Sequence, residues 1–226
     1  MEKRKSTDVI EEFLDLENAV VIDVGCGDGW LTRWLAGEGA HVTGIEVSPR
    51  QLAKARSTKP VADESYMTGL AEELPVRNRS ADIVIFFNSL HHVDAVGLPK
   101  ALKEASRVLK HGGVLYVSEP LPEGPYFQLM KPAHDETVVR RRAQEVLRHA
   151  PEFGLLLERQ LTHLDTVKFK DFQAFHDRIT SINSETRARF DDQDQEFRTR
   201  FESLGEQKDD GWSFEQPMRV TVMWRN

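Results

Sequence analysis

Residues 19–29 read AVVIDVGCGDG, and residues 30–36 continue as WLTRWLA. An aliphatic run, broken only by Asp23 near its end, leads into glycine at every second position: Gly25, Gly27 and Gly29. Such a run flanked by a glycine-rich turn predicts a central parallel strand buried on both faces. Trp30, Leu31, Trp34 and Leu35 fall at helical spacing, and Gly37 and Gly39 end that helix. Strand, glycine turn and helix N-terminus together form a ligand site at the carboxyl end of a parallel sheet. Glycine there tolerates positive φ and lets a ligand lie against bare backbone.

Working outward, residues 7–16 predict a short amphipathic helix before the first strand. His41–Ile45 predicts a second strand that closes on Glu46. Ser48-Pro49 then opens a helix to Arg56, with proline in its first turn. Ser65–Thr68 is a short third strand and Asp82–Phe87 a fourth. A helix spans Leu98–Leu109, His111-Gly112-Gly113 breaks it, and Val114–Ser118 is a fifth strand. This alternation implies a parallel sheet with helices on both faces. After Glu119 the pattern changes. A proline-rich loop (EPLPEGPYF) precedes a charged helix near His134–His149, and residues 159–169 alternate like a strand. A polar helical region follows from Phe172 to Leu204, with a break near Asn183-Ser184. The segment MRVTVMWR, residues 218–225, alternates again.

The glycines fit G-x-G-x-G rather than the dinucleotide pattern G-x-G-x-x-G, and Trp30 stands where that pattern needs glycine. Glu46 lies 21 residues after Gly25, where a carboxylate can accept both hydroxyls of an unphosphorylated ribose. Asp23 would repel a pyrophosphate but suits a cation. S-adenosylmethionine carries an ammonium, a sulfonium and a ribose without phosphate, so this chemistry favours it over NAD.

At this point residues 19–120 resemble the class I S-adenosylmethionine-dependent methyltransferases, in particular the ubiquinone/menaquinone-biosynthesis-type small-molecule enzymes. VVIDVGCGDGWLTRWLA is similar to that family's first motif. GLAEELPVRNRSADIVIFFNSLHHV and EASRVLKHGGVLYVSEP follow in the family's order. The resemblance implies an α/β, Rossmann-like, seven-stranded, mostly parallel sheet with helices on both faces. Its last strand is antiparallel and inserted between strands five and six, and 218–225 is the candidate for it. It further implies that Asp23, Gly25 and Gly27 contact the methionine moiety, with the backbone of Cys26 to Gly29 close by. Glu46 takes the ribose hydroxyls and Val47 borders the adenine. Leu70 stands where the family has an aspartate for the adenine amino group. Ala71 can still donate its backbone N–H there, and Glu72 is a substitute acceptor. Asn88 faces the cofactor or the acceptor side. The chain then divides, as a single domain over 1–226, into an N-terminal helix (1–18), a cofactor-binding core (19–120), an acceptor-side helical cap with the sixth strand (121–217) and the last strand (218–226).

The acceptor side offers His91, Asn88 and Glu119 as catalytic candidates. Histidine titrates near neutral pH and can serve as a base, although displacement at an activated sulfonium needs a base only where the acceptor loses a proton. His92 is expected to pack beneath its loop, and Glu119 to cap a neighbouring one. Tyr126 and Phe127 either line an acceptor pocket or belong to the core. His134, His163 and His176, with Asp135 and Asp165, match no known metal-ligand spacing, so no metal is expected. Residues 191–196 (DDQDQE) read as a solvated helix face, and Arg140–Arg142 as surface partners of Glu136 and Glu145.

A net charge of −7 opposes a role built on nucleic-acid phosphates. The single cysteine, Cys26, excludes an internal disulfide and fits a reducing, cytoplasmic setting. No apolar run has the length of a membrane span. The expected partner is a small-molecule methyl acceptor; a homodimer is one assembly left open. Three rival readings are a catalytically silent binding subunit with this fold, a nucleotide-dependent Rossmann enzyme, and a nucleic-acid or protein methyltransferase, the last opposed by the acidic balance and by FNSLHH where an N-P-P-Y-like motif would stand.

Overall fold

The computed structural model describes residues 1–180 and 184–226. In chain order the elements are β1 (Glu2–Lys3), α1 (Ser6–Phe13), β2 (Val20–Val24), α2 (Trp30–Gly37), β3 (His41–Glu46), α3 (Pro49–Ser57), β4 (Glu64–Thr68), β5 (Ala81–Phe87), α4 (Leu98–Val108), β6 (Leu109–Pro120), α5 (Pro125–Met130), α6 (Thr137–Val146), β7 (Leu155–Phe169), α7 (Phe172–Thr180), α8 (Ser184–Asp192), α9 (Asp194–Leu204), β8 (Glu206–Lys208) and β9 (Gly211–Arg225). Leu90–His92 and Leu147–Phe153 form 3₁₀ turns. The expected helix break at Asn183 lies outside the described residues.

The strand β2 is flanked by β3 and β5, both parallel to it, which accounts for its unbroken apolar run. The sheet order is β1-β7-β9-β6-β5-β2-β3-β4, with β8 pairing the far end of β9. The strand β9 runs antiparallel between β6 and β7, as the sequence led us to expect. All seven expected strands are present, and the short β1 and β8 are added to them. Alternation along β5 divides the core. Ile83 and Ile85 face α1 and α2, packing on Val9, Ile10, Leu31 and Leu35. Val84 and Phe86 face the opposite layer, where Leu98, Leu102 and Ala105 of α4 and Ala143 of α6 are buried. The buried residues Leu98, Leu102 and Ala105 recur at helical spacing along one face of α4.

Three strands are longer than predicted. The strand β6 begins at Leu109, because Gly112, at φ +76°, joins a register shift opposite Ala81–Ile83 instead of ending the ladder. The strands β7 and β9 pair from Leu155↔Arg225 to Phe169↔Trp212, with one register shift between Leu157 and Arg159. Their far end leaves the main sheet and carries a separate aromatic cluster. Phe169 and Phe214 from the two strands meet Phe172, Phe175, Phe190, Phe197 and Phe201 from α7–α9, with Phe190 stacked on Phe197 at 4.2 Å. Of the two candidate acceptor-side aromatics, Tyr126 belongs to this packing. Tyr126 stacks on Phe169, and Phe127 is buried beneath the Arg140 guanidinium. No described helix is long and apolar enough to cross a membrane.

Candidate functional site

The glycine turn sits at the carboxyl end of β2, and its three glycines all have positive φ: Gly25 +73°, Gly27 +57° and Gly29 +78°. They do different work. A Cβ on Gly25 would lie 2.6 Å from the Ser89 Cβ, and one on Gly29 would lie 2.7 Å from the Tyr66 ring. At those two positions the protein itself excludes a side chain. Gly27 alone faces open space, with no heavy atom within 4 Å of its Cβ position. Room for a ligand is therefore kept at one glycine of the three.

Glu46 ends β3 beside this turn. Its Oε2 accepts the Gly27 N–H at 2.9 Å and its Oε1 accepts the Ser48 N–H at 2.7 Å, so one carboxylate ties the turn to the start of α3. The turn is fixed from below as well, since the Gly25 and Cys26 N–H groups both donate to the Ile45 carbonyl. Asp23 is buried behind the turn and accepts the Thr32 hydroxyl at 2.7 Å. Burial pushes its carboxyl up to about 6, opposed by the Thr32 bond and helped by the Glu46 charge. Burial likewise pushes the Cys26 thiol up to about 12, which makes it a poor nucleophile.

Two clefts meet at Gly25, Gly27 and Asn88. One, about 520 Å³, is lined by Glu46, Val47, Leu70, Ala71, Glu72 and His92 among others. The other, about 470 Å³, runs past Asp23, Cys26, Trp30 and Arg178 of α7. Val47 and Leu70 are both about half exposed there. Asn88 lines both clefts and holds φ +53°, an uncommon value for a residue with a side chain. A larger groove of about 850 Å³ lies against β7 and β9, away from the glycine turn.

Glu119, wholly buried at the end of β6, organises the loop after β5. It accepts the Ser89 and Leu90 N–H groups at 3.0 and 2.8 Å and is hydrogen-bonded to His91 Nδ1. His91 is buried too, and its Nε2 faces Glu136 at 3.6 Å. The desolvation of His91 is outweighed by Glu119 and Glu136, which push it up to about 9. Expectation and structure differ on the two histidines: His91 packs beneath the loop, whereas His92 is exposed on the cleft. Arg140 also departs from its expected surface role. It is buried, pairs with Glu136 at 2.7 Å and donates to the Leu121 carbonyl and the Gln216 side chain. His163 is buried against Ser6, and His176 pairs with Asp177, so neither approaches the clefts. Glu136 and His134 are what the sequence reading missed at this site. They stand more than forty residues from His91, and no local spacing joins them.

Residues 22–117 match a family described as a methyltransferase domain. An uncharacterized methyltransferase of Synechocystis is 38% identical over 94 residues, which span 42% of this chain and 43% of that protein. A demethylmenaquinone methyltransferase of Chlorobaculum tepidum is 36% identical over 102 residues, 45% of this chain and 40% of its own length. Residues 22–117 are thus similar to methyltransferase domains. The chain spans well under half the length of these curated relatives. Beyond the matched segment the likeness is one of fold: a structure from Methanosarcina mazei, described as a SAM-dependent methyltransferase, covers 98% of this chain and 99% of its own with TM-score 0.60 at 16% identity. The matched residues include the glycine turn, Glu46, Asn88 and His91. Glu119, Glu136 and the aromatic cluster lie beyond the matched residues.

Proposed function

We propose that the protein is an enzyme that transfers a methyl group from S-adenosylmethionine to a small-molecule acceptor by in-line displacement. The observation that carries this reading is the open Gly27 beside the Glu46 carboxylate. The residues present fit the cofactor. Gly27 leaves its backbone bare to the cleft. Glu46 spends two acceptor positions on Gly27 and Ser48, and a carboxylate has about four, so capacity remains for ribose hydroxyls. Asp23, buried against the Thr32 hydroxyl and the Glu46 charge, gains from an ammonium. By resemblance, Val47, Leu70 and Ala71 border the adenine, with Glu72 in reach of the same cleft.

When bound, the cofactor supplies a methyl group already activated by the sulfonium. The chain's own task is then alignment and exclusion of water. Asn88 is the contact between cofactor and acceptor, since it lines both clefts. Glu119 and His91 position that loop from beneath; both are buried, so they hold Asn88 and Ser89 in place without touching the acceptor. The helices α7–α9 cap the acceptor side, with Arg178 on the cleft wall. The lone Cys26 and the absence of a described spanning helix support a cytoplasmic setting.

Calorimetric titration with S-adenosylmethionine, S-adenosylhomocysteine and NAD tests this reading. The first two are expected to bind and NAD is not. Glu46→Ala should lose about 100-fold in affinity, the value of losing about two charge-assisted hydrogen bonds. Binding of NAD alone, or wild-type affinity in the variant, overturns the assignment.

A further inference from the structure

Three side chains from two distant stretches converge beside the cleft: His91 and His92 after β5, and Glu136 just before α6. One ligand atom from each lies within 4.8 Å of the others. His91 Nε2 stands 3.6 Å from Glu136 Oε1, and His134 Nε2 stands 3.1 Å from the same oxygen. Two donors held at about 2.0–2.1 Å from one tetrahedral ion are roughly 3.3 Å apart. The two observed separations bracket that value. We propose that His91, His92 and Glu136 bind a divalent transition-metal ion such as zinc, with His134 as an adjacent donor.

The surroundings are those a metal site requires. A ligating imidazole is oriented by a carboxylate on its other nitrogen. Glu119 does this for His91, and the two backbone N–H groups it accepts fix the carboxylate in turn. A ligating carboxylate is itself hydrogen-bonded. Arg140 holds Glu136 Oε2 through two donors, at 2.7 and 3.0 Å, and leaves Oε1 to the imidazoles. Two imidazoles and one carboxylate make a set that keeps coordination positions open, and His92 lines the cleft.

The competing account makes His91 a charged bridge between Glu119 and Glu136. It explains those three residues and gives His92 no task. The His92 ring sits 4.1 Å from the His91 ring and makes no hydrogen bond among the described residues. The inference stands without the methyl-transfer reading, because ion binding is measured with no cofactor present.

The test uses the full chain, stripped with a chelator, then titrated with Zn²⁺ by calorimetry and with Co²⁺ by visible absorption. One ion per chain is expected, with cobalt d–d bands and no thiolate charge-transfer band. His92→Ala and Glu136→Gln should each weaken Zn²⁺ at least about 100-fold, and Glu119→Gln about 10–100-fold. His149→Ala, an exposed histidine paired with Glu152, should change nothing. His92 is exposed, so its loss leaves the fold intact. Failure of the wild-type protein to bind Zn²⁺, or binding that survives His92→Ala unchanged, overturns the proposal.

Discussion

Replacing Gly27 by alanine should abolish cofactor binding while leaving the fold almost untouched, and Gly25→Ala should do the reverse. At Gly27 the new methyl meets no protein atom within 4 Å, so the cost is confined to holding alanine at φ +57°. That cost is about 1 kcal/mol. In a chain of this size it lowers Tm by about 2–4 °C. The methyl stands where the ligand must approach the backbone, and a displacement there should weaken S-adenosylhomocysteine at least about 100-fold. At Gly25 the methyl would sit 2.6 Å from the Ser89 Cβ. Ser89 cannot retreat freely, because its hydroxyl donates to the Val24 carbonyl at 2.6 Å. Overpacking added to left-handed strain comes to about 2–4 kcal/mol, a fall in Tm of about 5–15 °C. Thermal denaturation followed by circular dichroism, paired with calorimetric titration, reads both quantities. Wild-type affinity in Gly27→Ala would refute the placement of the ligand. Equal stability of the two variants would refute the division of labour among the glycines, and Ser89→Gly in the Gly25→Ala background should restore part of the loss.

The buried Asp23 predicts a pH dependence. Its folded pKa, about 6, lies above the ordinary 3.8, so the folded state holds the proton more tightly than the unfolded state. Its contribution to stability is therefore present below about pH 4 and lost as pH rises through about 6. Asp23→Asn should remove that slope from urea-unfolding curves collected between pH 4 and 8. A cationic ligand favours the carboxylate, so cofactor affinity should rise with pH up to about 6 and level off above it; a flat profile would separate Asp23 from the ligand. In the cap, Phe190→Ala removes a fully buried ring stacked on Phe197. A loss of about 3–5 kcal/mol is expected, and hydrogen exchange should rise in α7–α9 while β2 and β5 remain protected.

The half of the fold that builds the turn was legible because its signals are local. An apolar run, alternating glycines and an acid closing the next strand are all read within about thirty residues, and β2 to β5 lie close to where those signals put them. The lengths of β6, β7 and β9 were not legible. Gly112 and Gly113 read as a stop, yet a register shift absorbs them. Gly211 and Pro217 obscure the early part of β9, which holds its conformation only because β7 pairs with it. The packing of Gly25 on Ser89 and of Gly29 on Tyr66 depends on which strands become neighbours. Arg140 read as a surface partner of Glu136 because both charges are visible in sequence at helical spacing; the pair forms, but the Leu121 carbonyl and Gln216, which also satisfy Arg140 in the interior, are not visibly its partners. His91, Glu119 and Glu136 likewise come together only once α6 docks beside β6.

The placement of β9 between β6 and β7 also governs the order in which the molecule can assemble. During synthesis β2 to β6 emerge first and can pair among themselves. The strand β7 emerges next with only the two-residue β1 to pair with, because its long antiparallel partner β9 follows it in the chain. Until residues 211–225 leave the ribosome, β6 presents an open edge, and a long exposed edge invites pairing with other chains. The final strand closes that edge, joins β7 to the sheet and brings Phe214 under the aromatic cap in one event. Translation of residues 211–225 is thus the step that closes the open edge of β6.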